Sequence, residues 1–314
     1  EATLAFEALA MACPSVAAFL SIHNMCAAMI DRFGAADMKA RVLRSVCRMD
    51  RVLSYCLTEP GSGSDAAALR TRAEPDGDGW RLTGTKAFIS GGGYSDAYIV
   101  MARTGADGPR GISAFLVEAD APGLSFGGLE QKMGWRAQPT RQVQMDGVPV
   151  GRADLIGEEG RGFAYAMAGL DGGRLNIAAT ALGGSQAAFD ATLSYMAERH
   201  AFGQALNQFQ ALQFRLADMA TRLEAARLFL RHAAWKLDTN APFATVSCAM
   251  AKLHVTDAAF EVANDCLQLH GGYGYLADYG IEKIVRDLRV HQILEGTNDI
   301  MQVIIARHLT GTRA

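Results

Sequence analysis

One glutamate stands out as a candidate for proton chemistry. Glu295 lies between an apolar run, Val290, Ile293 and Leu294, and a Gly296-Thr297-Asn298 sequence that signals a helix start. A carboxylate held against an apolar wall loses hydration, which disfavours its charged form and raises its pKa toward the value a general base needs near neutral pH. Helix capping is the plainer alternative, but Thr297 and Asn298 are better placed to cap the next helix. Two glycine-bearing segments could bind an anion or a cofactor. Gly61-Ser62-Gly63-Ser64-Asp65-Ala66 could bring backbone amides close to a ligand, or simply turn the chain as it leaves a strand. The segment also fits G-x-G-x-x-A. However, it follows Pro60, precedes no long periodic helix and sits in no parallel-sheet unit, so a dinucleotide fingerprint is not supported. Gly271 and Gly272 follow Gln268-Leu269-His270 and could either open an anion-binding nest or merely end a helix.

The elements that must position these residues fall into three textures. Residues 1–51 are rich in Ala, Met and Leu, with apolar positions at helical spacing such as Ile22, Met25, Met29 and Phe33, and read as two or three helices. Residues 52–157 bring recurrent Gly and Pro and short β-prone runs, Trp80 to Leu82, Tyr98 to Ala102, Ser113 to Val117 and Gln142 to Met145, which predict an antiparallel β domain. In residues 158–314 the helical period returns. One stripe is Leu212, Leu216, Met219, Leu223, Ala226, Leu230, Ala233 and Leu237; another is Cys248, Ala251, Val255, Ala258, Val262, Cys266 and Leu269, stopped by Gly271 and Gly272. The fold class expected is therefore α+β: N-terminal helices, a middle β domain and a C-terminal helix bundle of four-helix type.

Bulk properties narrow the function. The 314 residues are half hydrophobic, and 30 basic and 33 acidic residues scatter along the chain to give a net charge of -3. No stripe of one sign offers itself to nucleic acid or anionic lipid. The six cysteines, Cys13, Cys26, Cys47, Cys56, Cys248 and Cys266, form no C-x-x-C pair and point to buried thiols in a reducing compartment; no metal is expected. The apolar opening stretch from Leu4 to Ile30 is interrupted by Glu7, Pro14, His23 and Asn24, which suits neither a signal peptide nor a membrane span.

Four segments together resemble the acyl-CoA dehydrogenase family over essentially the whole chain: Tyr55 to Asp65, Lys86 to Gly91, Gln268 to Gly274 and Ile293 to Ile300. The resemblance implies FAD as cofactor. It assigns flavin contacts to Cys56, Leu57, Thr58, Gly63 and Ser64, with Ser64 also near the CoA moiety. Phe88, Ile89 and Ser90 resemble the strand whose aromatic residue covers the flavin ring; many relatives have Trp and Thr where Phe88 and Ser90 stand. On residue type alone Phe88 would be a core aromatic. Gln268, Leu269, His270, Gly271 and Gly272 resemble the turn at the flavin pyrophosphate and adenosine. Arg199, Phe202 and Gln210 match positions that reach a neighbouring subunit's flavin, although Arg199 alone reads as a solvated surface charge. Thr297, Asn298 and Asp299 fall beside the flavin, and Glu295 becomes the catalytic base. The implied assembly is a homotetramer, a dimer of dimers, passing electrons to an electron-transfer flavoprotein. By resemblance it would work in the mitochondrial matrix if eukaryotic or the cytoplasm if bacterial. Relatives carry a longer helical domain before the flavin loop, so the resemblance also implies that several helices are missing ahead of Thr58.

The implied reaction is α,β-dehydrogenation: Glu295 removes the α-proton while the β-hydride passes to the flavin, giving a 2-enoyl-CoA. The thioester oxygen needs preorganised donors as charge develops on it, and relatives use the glutamate's backbone amide and a flavin ribityl hydroxyl. In isovaleryl- and long-chain-type members the base lies on an earlier helix, directly before an arginine; the matching place is Gly173 before Arg174. Leu170 to Ala178 and Lys132 to Arg141 resemble the branch acting on short 2-methyl-branched, isobutyryl-CoA-like substrates. By the same resemblance Asp171, Gly172, Gly173, Arg174 and Arg307 serve the substrate, with small residues at 172 and 173 leaving room for a branch at Cα. Butyryl-CoA or 2-methylbutyryl-CoA is the alternative substrate, since one methyl is worth only about 1 to 3 kcal/mol of discrimination. An acyl-CoA oxidase and a non-catalytic flavin or CoA binder are the competing classes.

Overall fold

The computed structural model describes residues 1–312 and divides them into two compact units. Three helices open the chain: α1 (Ala2–Ala12), α2 (Pro14–Phe33) and α3 (Ala36–Cys47). Pro14 separates the first two, because a residue before proline is pushed out of the helical region and Cys13 is extended.

Seven strands follow: β1 (Leu53–Cys56), β2 (Arg72–Asp76), β3 (Gly79–Ser90), β4 (Ala97–Arg103), β5 (Ile112–Glu118), β6 (Leu124–Phe126) and β7 (Thr140–Val150). They form one sheet in the order β1-β4-β2-β3-β7-β6, with β5 also on β4. Most ladders are antiparallel as expected, but β1 runs parallel to β4, Leu53 opposite Ala97, and β2 meets β4 in parallel at Arg72 and Arg103. The β2–β3 hairpin lies within the connection from β1 to β4, and such a long excursion lets the chain return in the same direction. Strand β4 is buried on both faces. Ala97, Ile99 and Met101 pack with Met29, Ile30, Met38 and Val42 of α2 and α3, while Tyr98, Val100 and Ala102 pack with Trp80, Phe115 and Val143. The period of two thus sorts one strand between two cores.

The second unit is helical and comprises residues 1–18, 132–136 and 171–314. After α4 (Gly162–Glu198) come the two-residue strands β8 (His200–Ala201) and β9 (Gln204–Ala205), then α5 (Gln210–Asp238), α6 (Ala244–His270), α7 (Ile281–Arg289) and α8 (Asn298–Thr310). Every member of the stripe from Cys248 to Leu269 is buried. In the α5 stripe only Met219, Leu223, Ala226, Leu230 and Ala233 are fully buried, and Leu212, Leu216 and Leu237 toward the helix ends are partly exposed. On α4, a Cβ at Gly183 would lie 2.1 Å from the Glu7 carbonyl oxygen, so only glycine lets the backbone of α1 approach there. Glu7 accepts from Arg227 Nε at 2.9 Å and also pairs with Arg231, both on α5.

Candidate active site

Glu295 sits on a turn between a 3₁₀ segment (Val290–Gln292) and α8. Its φ is +56° and that of Gly296 is +83°, two left-handed residues in succession. For a residue with a side chain that conformation costs about 1 to 2 kcal/mol, so neighbours must hold it. The Lys252 ammonium, on α6, donates to the Gly296 carbonyl at 2.9 Å and to Asn298 Oδ1 at 2.8 Å. Asn298 Nδ2 donates in turn to Asp257 Oδ1 at 2.7 Å, which also accepts from Gln292 Nε2 at 2.7 Å. Thr297 caps α8, its hydroxyl accepting from the Ile300 amide at 3.2 Å. Of the expected apolar wall, Val290 and Leu294 pack against Ala18, Trp135 and Ile177, whereas Ile293 is 51% exposed and does not join it. The turn points successive side chains to different sides, so an apolar triplet in sequence does not make one surface.

Burial pushes the Glu295 carboxyl up to about 7, with the charges of Arg174 and Lys252 acting in the opposite direction. Its Oε2 is buried without a hydrogen-bond partner, as is Nε of Arg174. Unsatisfied buried polar atoms are rare and call for an explanation; these two lie where substrate chemistry is expected. Arg174 Nη1 donates to Asp171 Oδ1 at 2.8 Å, and Thr245 donates to Asp171 Oδ2 at 2.6 Å. A Cβ at Gly172 would meet no atom within 4 Å, so the glycine leaves open space beside this pair. Burial lowers Lys252 to about 8. Below the wall, His291 is pushed down to about 3 by burial and is therefore neutral: it accepts from Trp135 Nε1 at 3.2 Å and faces the Ile177 carbonyl, also at 3.2 Å, with Nδ1. Asp287 accepts from the Trp135 amide at 2.6 Å and from Lys283 at 2.7 Å.

A second feature of the helical unit is an open groove of about 520 Å³ where α6 ends. Gly271 leaves the helix at φ +60°, and Arg199, Gln268, Leu269, His270, Gly271 and Gly272 line the groove together with Tyr195 and Tyr273. The same glycines thus both end the helix and line the groove. The Arg199 guanidinium stands 5.2 Å from the Tyr273 ring centre. Phe202, 98% exposed, and Gln210 do not line this groove, and Arg307 lies toward the far end of α8, exposed and roughly 15 Å along the axis from its cap. Asp299 is exposed at the start of α8.

In the sheet unit, Phe88 is 69% exposed with φ +59°, at an irregularity in the β3–β7 register between Lys86 and Ile89. The strand's alternation would have sent it to the core, and the bulge turns it outward. Thr58 follows β1 and accepts from the Ala87 amide at 2.9 Å. Gly63 and Ser64 are exposed on a loop closed by reciprocal bonds between Glu59 and Ser62, and the loop leads into a three-residue turn, not the long helix a dinucleotide fold needs. The side chains of Cys56 and Ile89 belong to one sheet core and that of Leu57 to the other, so only their main chain remains for a ligand. Ser90 is half-buried, its carbonyl bonded by Ser54 at 2.5 Å.

The residue that motif reading missed is Lys252, fully buried beside the proposed base. Its signal was spacing: it stands four residues after Cys248 and three before Val255, a charge within the most apolar stripe of the chain. Among the described residues no cluster of His, Cys, Asp and Glu could hold a metal ion, and no helix is long and apolar enough to cross a membrane.

Helices, a sheet and a second set of helices, with a desolvated carboxyl at the head of the last helix, define a three-part fold that known proteins share. The chain matches the acyl-CoA dehydrogenase N-terminal domain over residues 1–50, the middle domain over 54–148 and the C-terminal domain over 160–310. It belongs to the acyl-CoA dehydrogenase family. It is 53% identical to the mitochondrial isobutyryl-CoA dehydrogenase of Dictyostelium discoideum over 99% of this chain and 75% of that protein. Butyryl-CoA dehydrogenase from Megasphaera elsdenii superposes with a TM-score of 0.95 at 39% identity, over 98% of this chain and 81% of that one. PigA, solved with FAD and proline, gives 0.94 at 31% identity, over 98% and 81%.

Proposed function

We propose that this protein catalyses the α,β-dehydrogenation of a short 2-methyl-branched acyl-CoA, isobutyryl-CoA, with FAD as cofactor and Glu295 as the base. The observation that carries the reading is the Glu295 carboxyl: buried at one oxygen without a partner and poised to exchange a proton at about pH 7. A base with that affinity is half ionised at neutral pH and is matched to carbon-acid chemistry. The likeness to an isobutyryl-CoA dehydrogenase supports the substrate, and the open side of Gly172 supports room for a branch at Cα.

The residues present fit FAD. On the sheet unit an exposed aromatic ring, Phe88, is held out by a left-handed backbone, with Thr58, Ser64 and Ser90 offering hydroxyls. On the helical unit the Gly271-Gly272 turn lines a groove, and Thr297 and Asn298 begin α8. FAD, when bound, supplies the acceptor for the hydride leaving the β-carbon. Glu295 takes the α-proton, and its uncompensated Oε2 regains a partner as it does so. Its main-chain amide is the protein donor proposed for the thioester oxygen, where charge develops. Arg174, fixed by Asp171, sets the electrostatic field at the carboxyl and keeps it from remaining fully protonated. The acceptor of the electrons is an electron-transfer flavoprotein, and the assembly is a homotetramer in which Arg199 and Phe202 serve a neighbouring copy's flavin. The working compartment is the mitochondrial matrix or, in a bacterium, the cytoplasm.

The test is an anaerobic titration of the purified protein with isobutyryl-CoA, following the visible flavin bands. Bleaching is expected, and Glu295→Gln should slow it at least about a hundredfold. Bound flavin that bleaches with butyryl-CoA but not isobutyryl-CoA overturns the substrate, and full turnover by Glu295→Gln overturns the base.

A further inference from the structure

Lys252 is a buried cation that, among the described residues, makes no ion pair within hydrogen-bond reach. Among the described residues its bonds run to two neutral acceptors, the Gly296 carbonyl and Asn298 Oδ1, at 2.9 and 2.8 Å. Desolvating an ammonium without a bonded anion is expensive, so the arrangement calls for a reason. One acceptor lies in the left-handed turn that presents Glu295 and the other lies two residues beyond Gly296, and the groups facing Lys252 are Glu295 on that turn, Arg174 on α4 and Asp257 on α6 itself, with neutral His291 beyond.

We propose that Lys252 is a positioning residue for the base: it anchors the Glu295-Gly296 turn through the Gly296 carbonyl and Asn298, and its charge sets how readily the Glu295 carboxyl holds a proton. The two roles need each other. Anchoring by a neutral donor would hold the turn but leave Arg174 alone to oppose the effect of burial on the carboxyl; a charge elsewhere would favour its ionisation without fixing where it points. A direct Lys252–Glu295 bond would serve neither, since it would occupy the lone pair that must receive the α-proton and depress its basicity. Holding the ammonium on the neighbouring carbonyl keeps the cation close while leaving Oε2 free. Burial raises the carboxyl, and Arg174 and Lys252 together pull it back, so the base is tuned by a balance of opposed effects.

This inference rests on Glu295 being the base, and its test separates the two. The carboxyl is followed directly by infrared titration of the full chain, using the difference from Glu295→Gln to isolate its band; turnover is not required. Lys252→Gln, whose amide can still donate to the Gly296 carbonyl, should raise the Glu295 midpoint by about one pH unit or more, roughly a tenfold gain in proton affinity. Lys252→Met should do the same and also lower kcat with KM little changed, because the turn loses its anchor. Lys252→Arg should keep the midpoint near that of the unsubstituted protein. Should the methionine variant fail to fold, as read by circular dichroism, the glutamine and arginine pair carries the test alone. An unmoved midpoint in Lys252→Gln, or an equal rise in Lys252→Arg, overturns the proposal. Full turnover by Glu295→Gln overturns the base instead.

Discussion

Two Glu and Lys neighbours, one in each unit and each with a buried lysine, end in opposite states. In the sheet unit Lys86 bonds Glu59 Oε1 directly at 2.8 Å, and the carboxylate also accepts from the amides of Arg70 at 2.6 Å and Thr71 at 2.9 Å. Burial would raise Glu59, but the Lys86 charge and these bonds prevail and hold it below the usual carboxylate range. In the helical unit Lys252 bonds a carbonyl and an amide, Glu295 keeps an unpartnered oxygen, and burial prevails. The residue types are the same; what differs is where the lysine's hydrogens go. A carboxylate whose two oxygens both accept hydrogen bonds, one of them from the lysine itself, is a structural ion, and one that feels the cation only through space remains a base.

Breaking the satisfied pair should have the largest effect. Lys86→Met leaves Glu59 charged and buried, and should destabilise the protein by about 3 to 5 kcal/mol in denaturant unfolding, whereas Lys86→Met with Glu59→Gln should recover most of that loss. A single substitution as mild as the double one would mean that the pair is not the buried ion described here.

The next effect sharpens the contrast through pH. With a folded-state pKa of about 7 against an ordinary 4.5, Glu295 holds its proton more tightly in the folded protein than in the unfolded chain. Its contribution to stability is therefore present below about pH 4.5 and is lost as pH rises toward 7, by on the order of 3 kcal/mol. Glu295→Gln should accordingly be more stable than the unsubstituted protein at pH 8 and similar to it at pH 4. Glu59→Gln should behave the other way, losing stability at neutral pH, because a depressed carboxyl stabilises above its unfolded pKa. Parallel pH series of thermal unfolding would show both slopes, and equal slopes would erase the distinction.

The smallest effect concerns the end of the turn. Thr297→Ala removes the bond to the Ile300 amide and should cost about 1 kcal/mol, with little change in the proton affinity of Glu295. A shift in that affinity would show that the cap, not Lys252, governs the carboxyl.

Periodicity made much of this legible in the sequence. The stripe from Cys248 to Leu269 is buried as its spacing required, and the apolar neighbours of Glu295 together with a good capping residue marked a carboxyl at a helix start. What escaped depends on contacts remote in sequence. The parallel run of β1 beside β4 follows from how a hairpin is inserted between them, which local pattern cannot report. Phe88 faces outward only because the register slips between Lys86 and Ile89. Lys252 gains its meaning from Gly296, 44 residues later, and Trp135 from Asp287, 152 residues later.

The clasp between α1 and α5 carries that distance into time. At roughly 5 to 20 residues per second of synthesis, the 220 residues between Glu7 and Arg227 take on the order of 10 to 40 s to emerge. Glu7 therefore waits on the ribosome for both of its arginines. The schedule of translation thus sets the earliest moment at which the first helix can be fastened, and a variant made faster or slower before α5 would shift that moment without altering the finished fold.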